Sequence, residues 1–117
     1  MMSDSAMQEF MRERQKLDET VLGYADGTVK RFYSLDAAAY TDGALSSRSK
    51  ELIGLVASLV RRCDDCITWH LSRCFDEGVS TAELVEALGI GMLVGGSVTI
   101  PHVRKLLNQW SILLEEK

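Results

Sequence analysis

The sequence predicts an all-α domain of about six helices, and three observations carry that expectation. Apolar residues recur at three- and four-residue steps along most of the chain. The β-branched residues show no sustained alternation of the kind a half-buried strand needs. Glycine steps, rather than proline, punctuate the periodic segments: Pro101 is the only proline among 117 residues.

The elements follow in order. Ser5-Ala6-Met7-Gln8 is a capping-box pattern, so a first helix should open there and run to about Leu22, with Met7, Phe10, Met11, Leu17 and Val21 at helical spacing. Asp26-Gly27 reads as a turn. A second helix carries Val29, Phe32, Tyr33, Ala37 and Tyr40 on one face and ends at Asp42-Gly43. "LSSRSKELIGLVASLVRR" is the third, capped by Ser46 or Ser47. Residues 63–77 form the fourth, stopped at Gly78, where a left-handed residue is wanted. Ser80-Thr81-Ala82-Glu83 is a second capping box and opens the fifth. That helix is apolar nearly all round (Leu84, Val85, Leu88, Ile90, Met92, Leu93, Val94), which predicts full burial. Gly95-Gly96 ends it, and Pro101 sits in the first turn of the sixth, where its missing N–H costs nothing. Val103, Leu106, Leu107, Trp110, Leu113 and Leu114 make the sixth helix amphipathic.

Composition narrows the function. With 46% hydrophobic and 26% charged residues, a chain of this length can bury a core without disulfides. Three cysteines, an odd number, fit a secreted disulfide framework poorly and a reducing cytoplasm well. The net charge of −4 lacks the basic surface that binding nucleic acid requires. The N-terminal "MMSDSAMQEFMRER" has no apolar run like that of a signal peptide, and "LVEALGIGML" is too short and glycine-broken to span a membrane. The expectation is a cytoplasmic protein.

All three cysteines and one of the two histidines fall in "RRCDDCITWHLSRC", residues 61–74. On a continuous helix, positions 63, 66, 70 and 74 share one stripe. Cys63 and Cys66 have Cα atoms about 5 Å apart, close enough for a disulfide. Cys66 and His70 are spaced for imidazole and sulfur to meet. A zinc cage is disfavoured, because Cys63 and Cys74 lie about 16 Å apart along the axis. A helix start near Cys63, with Arg61 and Arg62 close by, favours a thiolate, while Asp64 and Asp65 oppose it unless they face solvent as caps. Cys74, among Leu71 and Phe75, reads as a buried apolar residue. A redox pair is the best of the three readings.

"ELIGLVASLVRRCDDCITWH" has the form Glu-x11-Cys-x2-Cys-x3-His, through Glu51, Cys63, Cys66 and His70. It resembles the AhpD-like alkylhydroperoxidase family within the carboxymuconolactone decarboxylase superfamily. "CFDEGVSTAELVEALGIGMLVGG" is similar to that family as well. The resemblance implies one domain over 1–117, with variable N-terminal helices over 1–40 and a core over 41–110. It also implies a cysteine pair cycling between dithiol and disulfide, which reduces peroxides or a partner's disulfide, with Glu51 and His70 as proton relay. The implied assembly is trimer-based, and we expect a hexamer. No cofactor is called for, but a reductant must regenerate the dithiol.

Two departures stand out. The peroxidase members have a histidine between the cysteines, where this chain has Asp64 and Asp65. His102, in "SVTIPHVRK", has no place in the minimal motif and could supply an additional relay from the start of the sixth helix. Which cysteine attacks stays open: adjacency to His70 favours Cys66, the usual habit of the motif favours Cys63, and the reading leans to Cys66. The competing functions are a carboxymuconolactone decarboxylase-type lyase on a small carboxylic acid, and a non-catalytic oligomeric module that binds thiols or metal.

Overall fold

Residues 5–116 are described by a computed structural model, and among them every regular element is a helix. The first four residues of the polar N-terminal stretch and residue 117 lie outside the described residues. The helices are α1 (Ala6–Tyr24), α2 (Gly27–Ala39), α3 (Ser47–Val60), α4 (Asp64–Asp76), α5 (Thr81–Gly95) and α6 (Ile100–Glu115), with a 3-10 turn over Ser97–Thr99. The all-α expectation holds, and no helix is long and apolar enough to cross a membrane among the described residues.

Two compact units divide the chain, meeting between Thr41 and Asp42. The first is a helical pair. Ser5 closes its capping box with Gln8, and Asp26 caps α2 by accepting from the Val29 N–H. The Tyr33 hydroxyl donates to Asp18 Oδ1 at 3.0 Å and links α2 to α1.

The second unit holds the hydrophobic core. Leu55 and Leu59 on α3, Ile67, Leu71 and Cys74 on α4, Leu84 and Leu88 on α5, and Leu106 and Trp110 on α6 are buried together. Phe75 meets Trp110 edge-to-face with centroids 5.4 Å apart, a favoured aromatic geometry, and the indole N–H donates to Thr81 Oγ1 at 3.0 Å. Buried Cys74 is an apolar core residue, as its sequence neighbours imply.

Helix α5 corrects one expectation. It is not fully buried in the chain: Leu84, Leu88 and Gly91 face the core, whereas Val85, Ile90, Leu93 and Val94 are exposed. The unit is small, and one core offers a helix one face; the remaining apolar side chains have no place in it.

Candidate functional site

The connection between α3 and α4 determines what the site can be. Arg61 caps α3, Arg62 adopts a left-handed conformation at φ 58°, and the Cys63 N–H donates to the Ser58 carbonyl at 3.1 Å. Together these make a Schellman turn. The end of α4 repeats it, with Gly78 at φ 80° and the Val79 N–H donating to the Cys74 carbonyl at 3.0 Å. Glycine enters the left-handed region freely; arginine does so at a cost of about 1 kcal/mol. The turn folds α4 back along α3. That reversal is what Glu51 needs to reach His70, a residue nineteen positions away.

Cys63 is the N-cap of α4 rather than its first helical residue. Its Sγ accepts the Cys66 N–H at 3.3 Å and lies 2.7 Å from Cys66 Sγ. Both thiols are free, Cys63 half-buried and Cys66 exposed. Cys66 is pushed up to about 11, first by its hydrogen bond with Cys63, then by partial desolvation and by charge at Cys63 and Asp65. Cys74 is pushed up to about 12, chiefly by burial, which leaves it chemically quiet.

One turn along from Cys66, His70 is buried against α3. Its Nδ1 lies 2.9 Å from Glu51 Oε1, and Glu51 itself is only 3% exposed. An ionised carboxylate can only accept, so in that form of the pair Nδ1 is the donor and Nε2 is left for other partners. Arg73, in the last turn of α4, sits 3.8 Å from the other Glu51 oxygen while also pairing with Asp76 and Glu77. A buried carboxylate is costly without such partners.

Sequence reasoning missed the residue that makes room for this pair. A Cβ on Gly54 would lie 2.8 Å from His70 Cε1 and 3.0 Å from each ring nitrogen. The imidazole therefore packs on bare helix backbone. A glycine one turn after the motif glutamate, inside an otherwise apolar helix, is the signal that could have found it.

His102 is not isolated at the start of α6. Its Nδ1 lies 2.6 Å from Asp64 Oδ1, and Lys105 Nζ donates to Asp64 Oδ2 at 3.2 Å. These partners, His102 first, hold the Asp64 carboxyl below the usual carboxylate range. Asp64 is thus not a simple solvent-facing cap, although it is exposed. Among the described residues, no three of His, Cys, Asp or Glu converge as a metal site would require.

The fold is an all-helical core that sets a dithiol turn beside a buried Glu–His pair, and comparison with known proteins shows its family. The chain belongs to the carboxymuconolactone decarboxylase family, whose sequence model matches residues 27–109. It is 30% identical over 93 residues to an uncharacterized protein of Cupriavidus necator, covering 79% of this chain and 82% of that one. Similar crystal structures include one from Thermotoga maritima, with 48% identity and a TM-score of 0.90, covering 92% of this chain and 95% of that chain. A second structure of the Thermotoga protein, at TM-score 0.88 and 48% identity over 92% of this chain and 91% of that one, describes it as a member of this family for which a part in antioxidative response is suggested. A Legionella pneumophila member of the family, 24% identical, shares the fold at TM-score 0.80 over 90% of this chain and 94% of that one.

Proposed function

We propose that the protein is a thiol–disulfide oxidoreductase that reduces peroxides through Cys63 and Cys66, with Glu51 and His70 as proton relay. One observation carries this reading: a buried carboxylate–imidazole pair lies one helical turn beyond two free thiols that are already within reach of each other. The antioxidative role suggested for the Thermotoga relative agrees with it.

Cys63 suits the attacking role. Its sulfur accepts the Cys66 N–H, a bond that strengthens as sulfur becomes negative, at the end of a helix that favours an anion. Cys66, whose thiol is pushed up to about 11, suits the resolving role. In the first step the Cys63 thiolate attacks the outer peroxide oxygen and the O–O bond breaks. The alkoxide leaves and takes a proton from solvent to become an alcohol, and Cys63 becomes a sulfenic acid. In the second, Cys66 gives its proton to His70 Nε2 and attacks the Cys63 sulfur. Hydroxide departs and is protonated to water, leaving the Cys63–Cys66 disulfide. Glu51 stabilises the imidazolium formed on the way. An external dithiol returns the pair to the reduced form by exchange, with no cofactor involved.

The test is steady-state reduction of cumene hydroperoxide with dihydrolipoamide as electron donor. Wild-type protein should turn over, Cys63→Ser and Cys66→Ser should not, and Glu51→Gln should be slowed by about a hundredfold or more. Peroxide turnover that survives the loss of both cysteines would overturn the reading. A trimer-based, hexameric assembly belongs to the same proposal, supported by the apolar side chains exposed on α5. A mass near 13.0 kDa by light scattering would overturn that part.

A further inference from the structure

The two residues between the cysteines differ in their surroundings. Asp65 is exposed, and its charge helps to raise Cys66. Asp64 is tied across to α6, with His102 Nδ1 2.6 Å from one carboxylate oxygen and Lys105 Nζ 3.2 Å from the other. His102 and Lys105 lie three positions apart on α6, so one helical face presents both groups to the same carboxylate. A second link, from Thr68 Oγ1 to Gln109 Oε1 at 3.2 Å, joins the same two helices one turn further on. Asp64 follows Cys63 directly in the first turn of α4, where an uncompensated carboxylate would oppose formation of a thiolate.

We propose that Asp64, His102 and Lys105 form a positioning cluster for the dithiol, in which the two α6 residues cancel the carboxylate that stands beside Cys63. The inference rests on the redox reading of the cysteine pair and adds to it a part for α6. His102 acts through Asp64 and needs no contact of its own with sulfur. The other charged groups near the cluster in sequence are Asp65 on α4, Arg61 and Arg62 at the end of α3, and Arg104 on α6, while the 3-10 turn Ser97–Thr99 brings none. The carboxylate fixes the turn to a neighbouring helix, and its charge is met by that helix.

The experiment is the rate of iodoacetamide alkylation at Cys63 against pH, mapped by mass spectrometry on reduced protein, in four forms. These are wild type, His102→Gln/Lys105→Gln, Asp64→Asn, and the triple variant carrying all three changes. The double variant leaves Asp64 uncompensated. A rise of about half to one unit in the apparent thiol pKa then slows alkylation at pH 7 by roughly three- to tenfold. In the triple variant the carboxylate is gone, and the rate should return to near that of wild type. Loss of a merely structural contact would not be rescued by removing a third partner, nor would loss of a histidine that exchanged protons with sulfur directly. A double variant that reacts like wild type, or a triple variant that stays slow, overturns the inference. The same samples are also oxidised with hydroperoxide. A wild type that forms no Cys63–Cys66 disulfide sinks the redox reading along with the cluster, whereas a normal disulfide with no rescue sinks the cluster alone. All three side chains lie at or near the surface, so the variants should fold.

Discussion

Replacing Gly54 by alanine tests the site through a sign. In the interior of a helix, alanine is normally favoured over glycine by about 1 kcal/mol. At Gly54 the added methyl would sit 2.8 Å from His70 Cε1, and contact at ~3.5 Å returns only when the ring withdraws by about 0.7 Å. The Nδ1–Oε1 bond is 2.9 Å long, and such a movement carries it past the ~3.2 Å limit of a good hydrogen bond. Losing a charge-assisted bond to a buried carboxylate costs about 1.5–3 kcal/mol. Overpacking adds about 1–3 kcal/mol. Against these the helix propensity of alanine returns ~1 kcal/mol, so Gly54→Ala should destabilise by about 1.5–5 kcal/mol. Urea unfolding measures this directly, and peroxide turnover of the folded variant should fall by about a hundredfold as the relay loses its alignment. Combining it with Glu51→Gln should give much less than the sum, because both act on one pair. A variant as stable as wild type or more so, with full turnover, would refute the packing of His70 on Gly54.

Three further outcomes are expected. Arg62→Gly relieves a left-handed arginine and should raise stability by up to about 1 kcal/mol in urea unfolding, as Gly78 does the same task at the other Schellman turn without strain. Glu83 is held at about 2 by Arg48, with help from the Ser80 cap. Its folded value lies below the ordinary 4.5, so the contribution is full above that pH and is lost as pH falls toward 2; Glu83→Gln should flatten thermal stability across that window. Cys74, fully buried and raised to about 12, should resist alkylation at pH 8 until urea unfolds the protein, and Cys74→Ser should cost about 1–3 kcal/mol for a hydroxyl placed in an apolar core.

Local signals account for what was legible in the sequence. Ser5, Ser46 and Ser80 cap helices where their patterns place them, and Gly78 ends α4 in the left-handed form, because caps depend on residues within one turn. The stripe of Cys63, Cys66 and His70 was legible for the same reason. Its partner Glu51 was identified by the motif. Nothing local marks Arg62 as the residue that makes the turn from α3 to α4, since arginine has no preference for positive φ. The Asp64–His102 pair spans 38 positions and depends on how α6 crosses α4. Gly54 offers a local signal, a glycine inside a helix one turn after Glu51, but that signal does not say which side chain packs on it. The exposure of α5 could not be read from its composition, because an all-round apolar helix is equally suited to a core or to an interface.

The central claim is that Cys63 and Cys66 trade electrons with a peroxide while the buried Glu51–His70 pair moves the proton. A single-turnover experiment tests it most directly: reduced protein is mixed with one equivalent of cumene hydroperoxide, quenched with acid at intervals, and the peptide spanning both cysteines is weighed. The account predicts loss of two hydrogen atoms as the disulfide forms, with Glu51→Gln slowed about a hundredfold. A peptide whose mass does not change, or a disulfide that forms at the same rate without the Glu51 carboxylate, would contradict it.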